Sequence, residues 1–139
     1  MILVDTNVIS EPWKPAPNAR VLAWIDAQTI ETLYLSAITV AELRFGIAAM
    51  PVGKRRATLH ERLEGEVLPL FATRVLPFDL DASRAFANLM VRAQKSGKAI
   101  GTADGYIAAI AASLNLAVAT RDTGGFAAAG LAVINPWNH

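Results

Sequence analysis

The sequence contains no cysteine, which excludes disulfides and thiolate-held metals alike. It has only two histidines, His60 and His139, too few for a histidine-rich zinc centre. A metal here would have to be held mostly by oxygen. No apolar run reaches the ~18 residues that a membrane-spanning helix needs. The N-terminus lacks both a basic region and a long apolar stretch, so it does not read as a signal peptide, and a cytoplasmic location is expected. Charge is scarce as well. With 18% charged residues and a formal net charge of +1, composition alone does not imply a nucleic-acid partner.

What is abundant is apolar. A hydrophobic fraction of 53% over 139 residues suits one domain, residues 1–139, with a sizeable core. Short runs of mostly Val, Ile and Leu at 2–4, 33–35, 75–78, 116–119 and 131–134 read as strands buried on both faces. Helical spacing fills the intervals. Asn18 is placed to cap a helix carrying Val21, Leu22 and Ile25, and Val40, Leu43, Ile47 and Met50 mark a second that ends at Pro51. Leu59, Leu63, Val67 and Leu70 mark a third, with a break expected near Gly65 or Pro69. Asp81 is a candidate cap for a fourth, bearing Ala85, Phe86, Leu89 and Ala93, and Ile107, Ile110, Ala111 and Leu114 give a fifth. Strands alternating with helices predict an α/β fold: a five-stranded, mainly parallel sheet covered on both faces.

The placement of the acids is more informative. In such a fold, strand ends and the starts of the following helices share the carboxyl edge of the sheet, where ligands usually bind. Asp5 directly follows the first strand. Glu42 falls in the first turn of the helix after the second strand, and Asp122 follows the strand ending "AVAT". Asp104 lies near the start of a helix that enters the strand at 116 through a very short turn. That helix therefore ends at the amino edge and begins at the carboxyl edge. Four carboxylates held together repel one another, so raised pKa values or a bound cation are expected. Mg²⁺ or Mn²⁺ suits such oxygen ligands, and one or two such ions would activate water and stabilise a phosphodiester transition state.

Taken singly, each acid has an ordinary explanation. Asp5 can make an Asx-type turn, and Asp122 in "RDTGG" can form a turn. In "TVAE", Thr39 and Glu42 fit a capping box. Asp104 is favoured by the helix dipole. The coincidence of all four on one edge makes the stronger case. Of the basic residues, Arg44 and Arg121 neighbour these acids and are candidates for RNA phosphate or for pairing with the acids themselves. The Lys54–Arg56 segment reads first as a solvated helix start. Trp13, Trp24 and Trp137 read as core or interface aromatics.

The stretches "ILVDTNVIS", "LYLSAITVAELRFGI", "GTADGYIAAIAA", "VATRDTGGF" and "LAVINPW" resemble, in order and spacing over nearly the whole chain, PIN-domain proteins. Within that family they resemble most closely the VapC/FitB-like toxins of bacterial toxin–antitoxin pairs. The resemblance implies an α/β/α sandwich, a homodimer, and Mg²⁺- or Mn²⁺-dependent ribonuclease activity. It implies that the family's acidic quartet is Asp5, Glu42, Asp104 and Asp122, with Asp5 and Asp104 as metal ligands and Thr6 and Asn7 as polar companions. It also implies a cognate antitoxin, a small DNA-binding protein through which the pair contacts operator DNA. Two positions depart from the family pattern. Gly125 stands where a further Asp is common, and Gly105 replaces a commoner Ala.

The expectation is therefore a Mg²⁺-dependent endoribonuclease toxin of a type II toxin–antitoxin pair, cleaving RNA phosphodiesters. The alternatives are a catalytically inactive scaffold that binds an antitoxin, and another Mg²⁺-dependent phosphohydrolase. A phosphatase of the latter kind often carries an Asp-x-Asp pair, and Asn7 stands at its second position.

Overall fold

The computed structural model describes residues 1–139. In chain order the elements are β1 (Ile2–Val4), α1 (Thr6–Ser10), α2 (Ala19–Ala27), β2 (Leu33–Ser36), α3 (Ala37–Ala48), α4 (Lys54–Glu61), α5 (Leu68–Phe71), β3 (Val75–Leu76), α6 (Leu80–Lys95), α7 (Thr102–Ser113), β4 (Ala117–Ala119), α8 (Thr123–Ala128) and β5 (Val133–Ile134). All five strands pair in parallel, in the order β3-β2-β1-β4-β5. The register aligns Ile2 with Leu33 on one side and with Ala117 on the other. The five expected strands form, although β3 and β5 are only two residues long.

Strand periodicity divides the core. Leu3 and Val118 face a layer built by α6, α7 and α8, with Leu89, Ile107, Ile110 and Phe126 among its buried side chains. Val4, Leu33, Leu35 and Ala119 face the opposite layer, which contains Val8, Val21, Trp24, Val40 and Phe71. A smaller cluster of Leu43, Ile47, Leu59 and Leu63 joins α3 to α4. Helix α7 is the innermost: residues 107–111 are all buried, so its apolar pattern runs almost all round, and Leu114 is left 53% exposed.

Several helix boundaries differ from the sequence reading. Asn18 caps α2 as expected, accepting from the backbone N–H of Arg20 and Val21. The cap of α3, however, is Ser36, whose Oγ accepts from Thr39 N–H at 2.9 Å. Thr39 is inside the helix, there is no capping box with Glu42, and Glu42 sits in the second turn. Likewise Asp79 rather than Asp81 caps α6, through Ala82 N–H. The third helix does not break. A π-helical turn at Arg62–Val67 spans Gly65 and leads straight into α5, where Pro69 occupies the first turn. Wider winding accommodates a proline that can neither donate a hydrogen bond nor sit close to the carbonyl four residues back. It also rotates the apolar face, so Phe71 is buried and Leu70 is exposed.

Candidate active site at the carboxyl edge

The turn from α7 to β4 is as short as the sequence suggested. Asn115 adopts φ 57, a left-handed conformation that Asn tolerates, and Leu116 N–H donates back to Ala111 O at 2.9 Å. The N-terminus of α7, and Asp104 with it, therefore reaches the carboxyl edge, where β1, β2 and β4 deliver the other acids.

Asp5 is the most enclosed, at 2% exposure. Its backbone N–H continues the sheet by donating to Ala119 O. Its Oδ1 accepts from Thr6 N–H and its Oδ2 from the Thr120 hydroxyl, both at 2.8 Å. Burial pushes the Asp5 carboxyl above its ordinary range. The Thr120 and Thr6 bonds oppose that shift, and the charges of Glu42 and Asp122 add to it. Glu42 accepts from the Thr6 hydroxyl at 2.9 Å, and Thr6 Oγ1 in turn lies 3.2 Å from buried Thr39 Oγ1.

Asp104 and Asp122 are held differently. No group donates a hydrogen bond to the Asp104 side chain, and its pKa is pushed up to about 6, first by burial and then by the charges of Asp5, Asp122 and Glu42. Asp122 stands at the start of α8 without capping it; only its backbone is tied, by N–H donation to Thr120 Oγ1 at 3.0 Å. A pocket of about 330 Å³ opens beside these two acids, walled by Gly101, Gly124, Gly125, Ile100 and Phe126. The small residues there leave the space open.

The charges of Glu42 and Asp122 thus act on both Asp5 and Asp104, and none of the four acids is paired with a cation. The ion pairs of the protein are Lys14–Glu11, Arg44–Glu64 and Arg84–Asp81. The donor set is wholly oxygen and carries uncompensated negative charge, which fits a hard divalent cation. No three of these side chains converge on a single ion-sized point. The set therefore suits an ion held by two carboxylates and otherwise by water, as Mg²⁺ commonly is.

Asn7 completes the floor: its Oδ1 accepts from Arg121 N–H at 3.3 Å, and its Nδ2 approaches Thr120 Oγ1 at 3.5 Å. Thr120 was not singled out in the sequence, yet its fully buried hydroxyl connects Asp5, Asn7 and Asp122. The available signal was a polar residue closing the apolar run "AVAT". Of the candidate phosphate ligands, Arg44 is occupied by Glu64 through Nε at 3.1 Å and a second nitrogen at 2.8 Å. Arg121 is not paired with any acid, and Arg55 donates to Trp13 O.

A family model described as "PIN domain" matches residues 2–131. The chain belongs to the PIN-domain family. This PIN protein is 71% identical over 137 residues to the VapC ribonuclease Y4jK of Sinorhizobium fredii, covering 99% of this chain and 98% of the relative. It is 58% identical over 138 residues to the toxin FitB of Neisseria gonorrhoeae, with 99% of each covered. Among solved structures, FitAB bound to an IR36 DNA fragment superposes with a TM-score of 0.96 at 56% identity, over 99% of this chain and 96% of that one.

Proposed function

We propose that this PIN protein, acting as a single domain over residues 1–139, is the toxin of a type II toxin–antitoxin pair. Its activity is Mg²⁺-dependent hydrolysis of RNA phosphodiester bonds in the cytoplasm. The observation that carries this reading is the uncompensated cluster of Asp5, Glu42, Asp104 and Asp122, with Asp104 raised to about 6 by burial and like charge. High identity to a protein named a VapC ribonuclease supports it. High identity to the toxin FitB, and to FitAB bound to DNA, supports an antitoxin partner and operator contact through that antitoxin. A homodimer follows from the family resemblance.

Asp5 and Asp104 would hold the ion. When bound, Mg²⁺ supplies a lowered water pKa and charge compensation at the phosphate. Thr120 and Thr6 N–H keep both Asp5 oxygens aimed and oppose the effect of burial on its carboxyl. Thr6 fixes Glu42 over the same edge, where a carboxylate orients water by accepting its protons. Asp122 borders the open pocket, where an RNA strand can approach Asp104.

The test is incubation of cellular RNA with purified toxin free of antitoxin, with Mg²⁺ and with chelator. Mg²⁺-dependent cleavage that disappears in Asp5→Asn and Asp104→Asn protein is expected. Intact RNA throughout, with no acid-dependent Mg²⁺ binding by calorimetry, would leave an antitoxin-binding scaffold. Turnover of small phosphate esters with RNA left intact would indicate another phosphohydrolase.

A further inference from the structure

Arg121 is next in sequence to an acid and lies beside a cluster of acids, yet its guanidinium forms no ion pair with any of them. Two contacts and one nearby charge hold it instead. Its backbone is fixed to the site floor through Asn7. Its guanidinium carbon lies 5.2 Å from the ring centroid of Trp137, within cation–π range. Nearby Glu11, 3% exposed, is ion-paired with Lys14 Nζ at 2.8 Å and accepts from Asn18 N–H at 2.9 Å. Those two contacts hold the Glu11 carboxyl below its ordinary range, and the charge of Arg121 adds to the effect. Glu11 thus adds a favourable charge interaction with the guanidinium that rests over Trp137. The ends of β4 and β5 bring Arg121 and Trp137 to the same sheet edge as the acids.

The side chain is exposed, flat and pre-oriented, with its N–H fork free. A polyanion approaching four carboxylates is repelled, and a cation that the acids do not neutralise offsets that repulsion. Planar, bidentate donors suit phosphate oxygens. Arg44, the other candidate, has its fork closed on Glu64. We propose that Arg121, laid on Trp137 at the rim of the acid cluster, binds a backbone phosphate of the RNA next to the one that is cut, with Trp137 as its positioning residue. This rests on the ribonuclease reading above.

The test is binding of a short fluorescein-labelled single-stranded RNA of mixed sequence, in Mg²⁺, by antitoxin-free full-length protein in an Asp104→Asn background. Anisotropy is followed as KCl is varied. Arg121→Ala should weaken binding about 5- to 10-fold and reduce the slope of log affinity against log salt by about 0.7, the value for one lost phosphate contact on a single strand. Arg121→Gln, close in shape and neutral, should match it, so that misfolding of one variant does not decide the outcome. Arg121→Lys should restore the slope. Trp137→Leu should weaken binding about 2- to 3-fold with the slope retained. Arg84→Ala, exposed in the first half of α6 and paired there with Asp81, should change neither. If the parent binds RNA and the Arg121 variants keep its slope, the contact is overturned while the ribonuclease reading stands. If the parent binds no RNA, that reading falls first and the contact with it. Loss of antitoxin affinity with RNA binding intact would assign Arg121 to the protein partner and overturn the proposal.

Discussion

The two sides of the acid cluster are built on different principles. On the Asp5 side, both Asp5 oxygens have a donor, Thr6 N–H and Thr120, and one Glu42 oxygen accepts from the Thr6 hydroxyl. On the Asp104 side, no donor meets the side chain, and burial with like charge pushes its pKa to about 6. One side is organised by the fold itself and the other is left for something positive to complete. A fully satisfied Asp5 fixes where the site is. An unsatisfied Asp104 has the more to gain from the cation proposed above.

The largest effect expected is on chemistry, where the two sides should look alike. Asp5→Asn and Asp104→Asn should each lower RNA cleavage by at least about 10²-fold, because either removes a carboxylate proposed to hold the ion. Stability should then separate them. Asp5→Ala leaves the buried Thr120 hydroxyl and Thr6 N–H without their acceptor and should destabilise by about 1–3 kcal/mol in urea unfolding. Asp104→Ala relieves repulsion, and without divalent cation it should be at least as stable as wild type. Equal losses in the two variants would erase the distinction.

The pH dependence of stability sharpens it further. Between the ordinary carboxylate value of 3.8 and about 6, folded Asp104 holds a proton that the unfolded chain has released. In chelator, this component of stability should therefore rise as pH falls from above 6 through that window, and it is complete below 3.8. Asp104→Asn should remove it. Millimolar Mg²⁺ should raise the wild-type unfolding temperature at neutral pH and leave that of Asp104→Asn unchanged.

Smaller effects are expected further out. A Cβ on Gly105 would lie 2.9 Å from Met90 Sδ and 3.1 Å from Phe86, so Gly105→Ala should not yield the usual helix gain of about 0.5–1 kcal/mol. A full gain in melting experiments would mean that Met90 yields freely. Smallest of all, Arg44→Ala should cost under about 1 kcal/mol, as the loss of an exposed ion pair does, and leave cleavage unchanged.

Much of this was legible in the sequence, for identifiable reasons. Strands buried on both faces must be apolar, so 2–4 and 33–35 read directly as strands, and their ends located Asp5 and the helix bearing Glu42. The short connection before 116 was enough to orient α7 and bring Asp104 to the correct edge. Caps were less legible. Ser36 and Thr39 are both good cap residues three apart, and Asp79 and Asp81 are equally acidic. Only backbone geometry decides which of each pair lies outside its helix. The π turn was hidden because a Gly and a Pro in a helical pattern usually signal a break, whereas packing of Phe71 in the core favours continuity.

By itself, the sequence determined the alternation of strands and helices, the absence of nitrogen or sulfur ligands in number, and the four acids at one edge. These follow from local periodicity and from residue chemistry, which need no knowledge of distant contacts. Only the tertiary structure decided which hydroxyl serves Asp5, which acid stays without a donor, and which of two similar arginines remains open. Thr120 lies 115 residues from Asp5, and Glu64 lies 20 residues from Arg44. Such partners meet only when the chain closes its core, so the charge state of the site is a property of the folded molecule.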